Sequence, residues 1–191
     1  MSKSNLRKFN LEKRTSLSAG EIASASGVIA ERFFESLDLA GISKLHTFIR
    51  IHKFNEIDTS LIYSKLWHDW PEIVTVAPRS DLADGGIESV TFDAATDLRE
   101  NAWGILEPVG GEVISPSQLD VVLVPLLCFD RHGHRVGYGK GMYDRFLARC
   151  RPDCLKVGLD LFGPGDRIGD IEPTDIRLDI CITPTTIYRF D

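Results

Sequence analysis

The sequence predicts an α/β fold: a mostly parallel sheet with helices on both faces. Three observations predict it. Short apolar runs alternate along the chain with segments whose apolar residues recur at helical spacing. The most apolar run, Val121 to Leu127, leads into a glycine-rich polar stretch and then a further helical segment, as strand, loop and helix follow one another around a parallel sheet. The composition is that of a globular protein, with 191 residues, 43% hydrophobic and 26% charged, enough to bury a core without metals or disulfide staples. No repeat, low-complexity tract or long linker divides the chain, so residues 1–191 are expected to form one domain.

The elements follow in order. Residues 1–17 carry Lys3, Arg7, Lys8, Lys13 and Arg14 against one acid, Glu12. Ser18 and Glu21 form a capping box. It opens an amphipathic helix over 18–38, with Ile22, Ile29, Phe33 and Leu37 at near-helical spacing and Gly41 beyond its end. Residues 45–51 read as a strand. Asp58-Thr59 caps a second helix through Trp70, with Leu61, Ile62, Leu66 and Trp67, and Pro71 stops it. Residues 73–77 read as a buried strand and 87–92, which alternate, as a more exposed one. Residues 93–118 read as irregular, with Gly104, Pro108, Gly110, Gly111 and Pro116. Residues 121–127 are the expected central strand, 130–141 a glycine-rich loop and 142–150 a short helix with Phe146 and Leu147 inward. Strands over 155–161 and 179–183 complete the sheet, joined by a Gly/Asp/Pro loop over 163–175.

The net charge of −6 argues against a protein that grips nucleic-acid backbone. The seven-residue run 121–127 is the longest apolar stretch, far below the roughly 20 residues of a membrane span. The opening MSKSNLRKFNLEKR has no apolar stretch of the secretory kind. Cys128, Cys150, Cys154 and Cys181 form no Cys-x-x-Cys pair and read as free thiols of a reducing, cytoplasmic compartment. The expected partners are small molecules, with no nucleic acid and no membrane, and a monomer is expected.

The chemistry concentrates in Asp130 to Arg145. Gly137, Gly139 and Gly141 alternate just before a helix, so backbone N–H groups can turn toward one point and cradle a phosphate. Four basic side chains surround them: Arg131, Arg135, Lys140 and Arg145. Arg135 can fork onto phosphate oxygens and Lys140 supplies a point charge. Asp144, in the first helical turn, is placed to hold magnesium with phosphates and water. Two other phosphate motifs do not fit. Lys140 is followed by Gly141 rather than Ser or Thr, and nine residues separate Leu127 from Gly137. Asp160, at a strand end roughly 20 residues on, keeps a dinucleotide site open as an alternative.

The run DVVLVPLLCFDRHGHRVGYGKGMYDRFL resembles the signature of the 5-formyltetrahydrofolate cyclo-ligase family. Four more segments match in order: Lys3, Leu6, Arg7, Arg14 and Leu17-Ser18; Glu56 to Thr59; Gly104 to Pro108; and Asp175 with Asp179. The resemblance implies a three-layer α/β/α sandwich of Rossmann-like kind. It implies conversion of 5-formyltetrahydrofolate to 5,10-methenyltetrahydrofolate, with ATP as co-substrate and Mg2+. Lys3, Arg7 and the segment Arg135, Gly137, Tyr138, Gly139, Lys140, Gly141, Met142 and Tyr143 would contact ATP. Ile51, Glu56, Tyr138 and Met142 would face the folate, and Asp144 and Asp175 would hold magnesium. Lys140, Arg135 and Tyr143 would be catalytic. The chain departs from the family pattern at Met142, where an aromatic residue is usual, and at Asp170, where a proline is usual. Glu107 is kept as a substrate-side or structural residue. Two other readings stay open: a module that binds folate or nucleotide without turnover, and a different enzyme on a related scaffold, such as a sugar-phosphate isomerase.

Overall fold

The structure is a computed structural model and describes residues 1–80 and 85–191. Its elements are α1 (Lys3–Thr15), α2 (Ala19–Ser36), β1 (Lys44–His46), α3 (Ser60–Asp69), β2 (Val74–Ser80) and β3 (Ile87–Thr91). There follow β4 (Leu98–Glu100), β5 (Leu106–Pro108), β6 (Val113–Ile114), β7 (Val121–Val124), β8 (Cys128–Phe129) and β9 (Arg135–Val136). The chain ends with α4 (Met142–Leu147), β10 (Leu155–Leu159), β11 (Ile180–Ile182) and β12 (Ile187–Arg189). The main sheet has the order β12-β11-β10-β7-β1-β2-β3-β6. Its five inner strands, β11 to β2 in that order, are parallel, while β12, β3 and β6 pair antiparallel at the two margins. The α/β expectation therefore holds, with the most apolar strand, β7, near the centre and buried at all four residues.

Both faces of the sheet are covered. On one face Ile29 and Phe33 of α2 and Ile62 and Leu66 of α3 pack against Leu45, Leu123, Val157 and Ile180. On the other, Phe146 and Leu147 of α4 pack against Val122, Val124, Leu126 and Cys181. The capping box forms as read: the Ser18 side chain accepts from the Glu21 N–H, and the Glu21 carboxylate accepts from the Ser18 N–H at 2.8 Å. At α3 the cap is Asp58 alone, whose Oδ1 accepts from Ser60 N at 3.1 Å. Thr59 turns its hydroxyl to the Phe48 carbonyl instead. Among the described residues no helix is long and apolar enough to cross a membrane.

The structure corrects several boundaries. The expected strand 121–127 stops at Val124, because Pro125 has no N–H to continue the ladder. Leu127 N then donates to Val136 O at 2.8 Å, joining the β8–β9 hairpin. The region 93–118 is not irregular. It holds the β4–β5 hairpin and β6. All three residues of β4 are exposed, so no burial period marks it in the sequence. β3 is more buried than its alternation suggests, since Ser89 satisfies its hydroxyl on His46 Nδ1 at 2.8 Å. β12, three residues at the sheet margin, carries no burial period in the sequence either.

Asp160 does not face the large cavity described below. It follows β10, is 3% exposed, and accepts from Phe162 N at 2.6 Å through Oδ1. Its Oδ2 is buried and takes no hydrogen bond among the described residues. A ribose-binding role is therefore not supported. Burial pushes its pKa up to about 6. The folded protein then binds a proton between about pH 4 and 6 that the unfolded chain has released, so stability falls as pH rises through that window. Asp160→Asn is expected to be more stable than wild type at pH 7.5, by on the order of 2–3 kcal/mol. The gain is expected to vanish below about pH 4. Urea midpoints at pH 3.8 and 7.5 check this, and equal midpoints at pH 7.5 contradict it.

Candidate active site

The parallel strands deliver their carboxyl ends to one side of the sheet, where ligands of such sheets bind. There the segment after β1 (Phe48, Ile49, Ile51), the end of β2 (Pro78, Ser80) and Pro125 after β7 line a cavity of about 670 Å³. That volume suits a ligand of several rings or two ligands side by side. Every residue that the family resemblance assigns to a ligand lines it, from Lys3 and Arg7 through Ile51 and Glu56 to the 135–144 segment and Asp175. Arg131 and Arg145 do not. Arg145 instead donates to Lys140 O at 3.1 Å, so the cation cluster read around the glycines divides into two inward and two outward members.

One wall comes from α1 and the glycine loop together. Gly139 has φ +94° and Gly141, the N-cap of α4, has φ +63°, conformations that L side chains rarely adopt. A Cβ at Gly139 would also stand 2.9 Å from the Arg7 guanidinium carbon, so a side chain there would push that guanidinium aside, while the turn itself is what requires glycine. Gly137 has neither constraint; its carbonyl accepts from Arg7 Nε at 3.0 Å. Lys3 pairs with Asp175. The Asp170 carboxylate accepts the Lys3 backbone N–H at 2.7 and 3.0 Å, which gives the departure from proline at 170 a capping task.

Arg135 is nearly buried, its side chain 5% exposed. It donates to Ile176 O and, at 2.8 Å, to Asp144 Oδ1, which also accepts from Ile176 N at 3.1 Å. Arg135 thus enters the cavity as a fixed charge held by Asp144 rather than as a free fork. Lys140 Nζ lies 5.0 Å from the centroid of the exposed Trp103 ring. Asp144 and Asp175 each keep one carboxylate oxygen that takes no hydrogen bond among the described residues. Two such carboxylates suit magnesium, which takes one or two from a protein and the rest from phosphate and water.

The other wall is apolar, with Phe48, Ile49, Phe54, Ile87 and Ile105. Phe54 stacks on Tyr138 with ring centroids 5.2 Å apart. Glu56 is 3% exposed. Its Oε2 accepts from Ile51 N at 2.7 Å and its Oε1 from the Tyr138 hydroxyl. Burial pushes the Glu56 pKa above the usual carboxylate value, against the pull of Tyr138 and of the Arg14 and Arg50 charges. Burial likewise raises both Tyr138 and Tyr143, so both are neutral phenols at ordinary pH. Cys128 lies outside the cavity lining, and burial pushes its thiol up to about 12, so it is no nucleophile.

Several residues of the site were not read from the sequence. His46 sits beneath the cavity, with Nε2 3.2 Å from the Tyr143 hydroxyl. Burial pulls its pKa down to about 3, so it is a neutral partner for that phenol. Nothing in the sequence marks it, because its role comes from β1 lying beneath α4. Phe54 and Ser80 likewise reach the cavity by fold alone. Glu107 lines the cavity while its Oε1 accepts from Ser80 N at 3.0 Å and Asn101 Nδ2 at 2.8 Å, tying β5 to β2.

Comparison with known proteins bears on this arrangement. The solved NMR structure of the Aquifex aeolicus 5,10-methenyltetrahydrofolate synthetase superposes with a TM-score of 0.84 at 30% identity, over 99% of this chain and 93% of that one. The Escherichia coli K12 5-formyltetrahydrofolate cyclo-ligase is 31% identical over 147 residues, covering 71% of this chain and 75% of that protein. The Mycoplasma pneumoniae 5-formyltetrahydrofolate cyclo-ligase is 40% identical over 68 residues, an alignment that spans 40% of its length and 35% of this chain. The family model described as the 5-formyltetrahydrofolate cyclo-ligase family matches residues 1–184. With the family model matching residues 1–184 and the solved structure covering 99% of the chain, the chain belongs to the 5-formyltetrahydrofolate cyclo-ligase family, a family of ligases.

Proposed function

We propose that this chain converts 5-formyltetrahydrofolate to 5,10-methenyltetrahydrofolate, using ATP and releasing ADP and phosphate. The observation that carries the reading is one cavity with a cationic wall suited to a polyphosphate and an apolar wall suited to a pterin, with Glu56 buried at its edge.

The residues divide the work as follows. Lys3, Arg7 and the backbone of Gly137 to Met142 hold the ATP phosphates, while Ile51, Tyr138 and Met142 orient the folate. The γ-phosphoryl group passes to the formyl oxygen, and Lys140, Arg135 and Tyr143 stabilise the charge that develops on it. The phosphorylated oxygen is now a leaving group. N10 attacks the formyl carbon, N10 gives up its proton, and phosphate departs with the C–O bonding pair. The carboxylate of Glu56 accepts that proton; its raised pKa brings its basicity closer to working pH. Magnesium, bound with ATP, would be held by Asp144 and Asp175 and supplies positive charge at the phosphates. No covalent protein nucleophile is needed.

The test mixes the protein with 5-formyltetrahydrofolate and magnesium-ATP and follows the near-ultraviolet absorbance of the methenyl product. The expected result is a band that grows only with ATP, matched by ADP release. Binding of both ligands without that band contradicts the reading and favours a binding module. Asp144→Asn is expected to lower turnover at least about tenfold and to raise the magnesium requirement. It is also expected to cost about 1–3 kcal/mol in urea unfolding, because buried Arg135 loses a charged partner. An unchanged magnesium requirement contradicts the assignment of Asp144.

A further inference from the structure

Arg14 lies in the last turn of α1 and is 5% exposed. Its Nε donates to Phe54 O at 2.8 Å and one terminal nitrogen to Leu126 O at 3.0 Å. The other terminal nitrogen donates to the Tyr138 hydroxyl. A guanidinium only donates. The Tyr138 oxygen is therefore the acceptor toward Arg14, and its own proton is directed to Glu56 Oε1. Arg14, Tyr138 and Glu56 form a chain with one possible direction of donation.

We propose that Arg14 is a positioning residue for the cyclisation: acting through Tyr138, it fixes the orientation of Glu56 and keeps that carboxylate ionised to receive the N10 proton. The inference rests on the reading of Glu56 as proton acceptor given above. The physical basis is charge compensation. A carboxylate as buried as Glu56 takes up a proton unless a cation and hydrogen bonds oppose it. Among the described residues the titratable and charged groups that face Glu56 are Arg14 from α1, Arg50 from the segment after β1, Tyr138 from the glycine loop and Tyr143 from α4. Arg50 is engaged with Asp58 at 3.2 Å, so its charge is shared. Among the described residues Arg14 has no carboxylate in ion-pair contact. It also faces Asp160, the second buried acid near it.

The site explains why α1 ends where it does. Asn55, with φ +48°, sends its Nδ2 back to Arg14 O at 3.2 Å and Leu17 O at 3.0 Å. The helix end and the loop that carries Glu56 are thus laced together around the guanidinium, more than a solvated basic helix requires.

The experiment measures kcat/KM for 5-formyltetrahydrofolate from pH 5 to 9 at saturating magnesium-ATP. Wild type is compared with Arg14→Gln, Arg14→Lys, Tyr138→Phe, Glu56→Gln and Asp160→Asn, with circular dichroism on each. Wild type is expected to lose activity on the acid side as Glu56 is protonated, and Glu56→Gln to lose that limb along with most of its rate. Arg14→Gln is expected to move the limb up by one pH unit or more and to regain rate at high pH. Arg14→Lys should shift it less. Tyr138→Phe, which cuts the same chain while leaving Arg14 on Phe54 and Leu126, should shift it in the same direction even if Arg14→Gln fails to fold. Asp160→Asn should leave the limb in place. A Glu56→Gln variant that keeps the limb overturns the reading of Glu56 and the inference with it. If Glu56→Gln loses the limb but Arg14→Gln or Tyr138→Phe falls by one factor at every pH, the inference alone is overturned.

Discussion

The docking of α1 is the constraint on which the site depends, and it is polar. Only Leu6, Asn10 and Arg14 of the helix are buried. A single buried leucine contributes about 1.5–3 kcal/mol, too little to fix a thirteen-residue helix in one orientation. The orientation comes from directional contacts: Lys3 on Asp175 and Asp170, Arg7 on Gly137 O, Arg14 on Phe54 O, Leu126 O and Tyr138. Of these partners Asp175, Gly137, Phe54 and Tyr138 themselves line the cavity. A shift of α1 would displace both ends of the site together.

The cavity joins two unlike environments. At one end cations and glycine backbone offer charge to an anion, and two carboxylates keep an oxygen spare. At the other end aromatic and aliphatic side chains exclude water. Glu56 sits where these meet, raised in pKa by burial and held from full neutrality by its neighbours. His46 plays the complementary part under Tyr143, kept neutral by complete burial. The fold supplies both effects from the same sheet, because β1 carries His46 into the core and leads directly to the segment that bears Glu56.

The sequence made much of this legible. The capping box, the helical stripe of α2 and the apolar start of β7 carry strong local patterns and form where the sequence places them, although β7 ends three residues early at Val124 and Leu61 of α3 faces solvent. The glycine loop was legible because positive φ at Gly139 and Gly141 leaves a mark in residue type. What the sequence hid was pairing. Arg14 reads as one more charge on a basic face until Tyr138 and Glu56, 124 and 82 residues apart in their pairings, meet it in space. Arg135 reads as a phosphate fork, yet most of its surroundings are protein: Ile176 O and Asp144. Short strands such as β4 and β12 hid for another reason, since three exposed or half-exposed residues carry no period.

The measurement that tests the account most directly is the affinity for ATP, by titration calorimetry with magnesium present and folate absent, of wild type against a Lys3→Ala, Arg7→Ala double variant. Circular dichroism establishes that both are folded. If α1 and the glycine loop form one anion-binding wall, the double variant binds ATP at least about tenfold more weakly, the equivalent of about 1.4 kcal/mol, with its fold intact. An unchanged affinity would mean that α1 only supports the cavity and that the phosphates lie elsewhere.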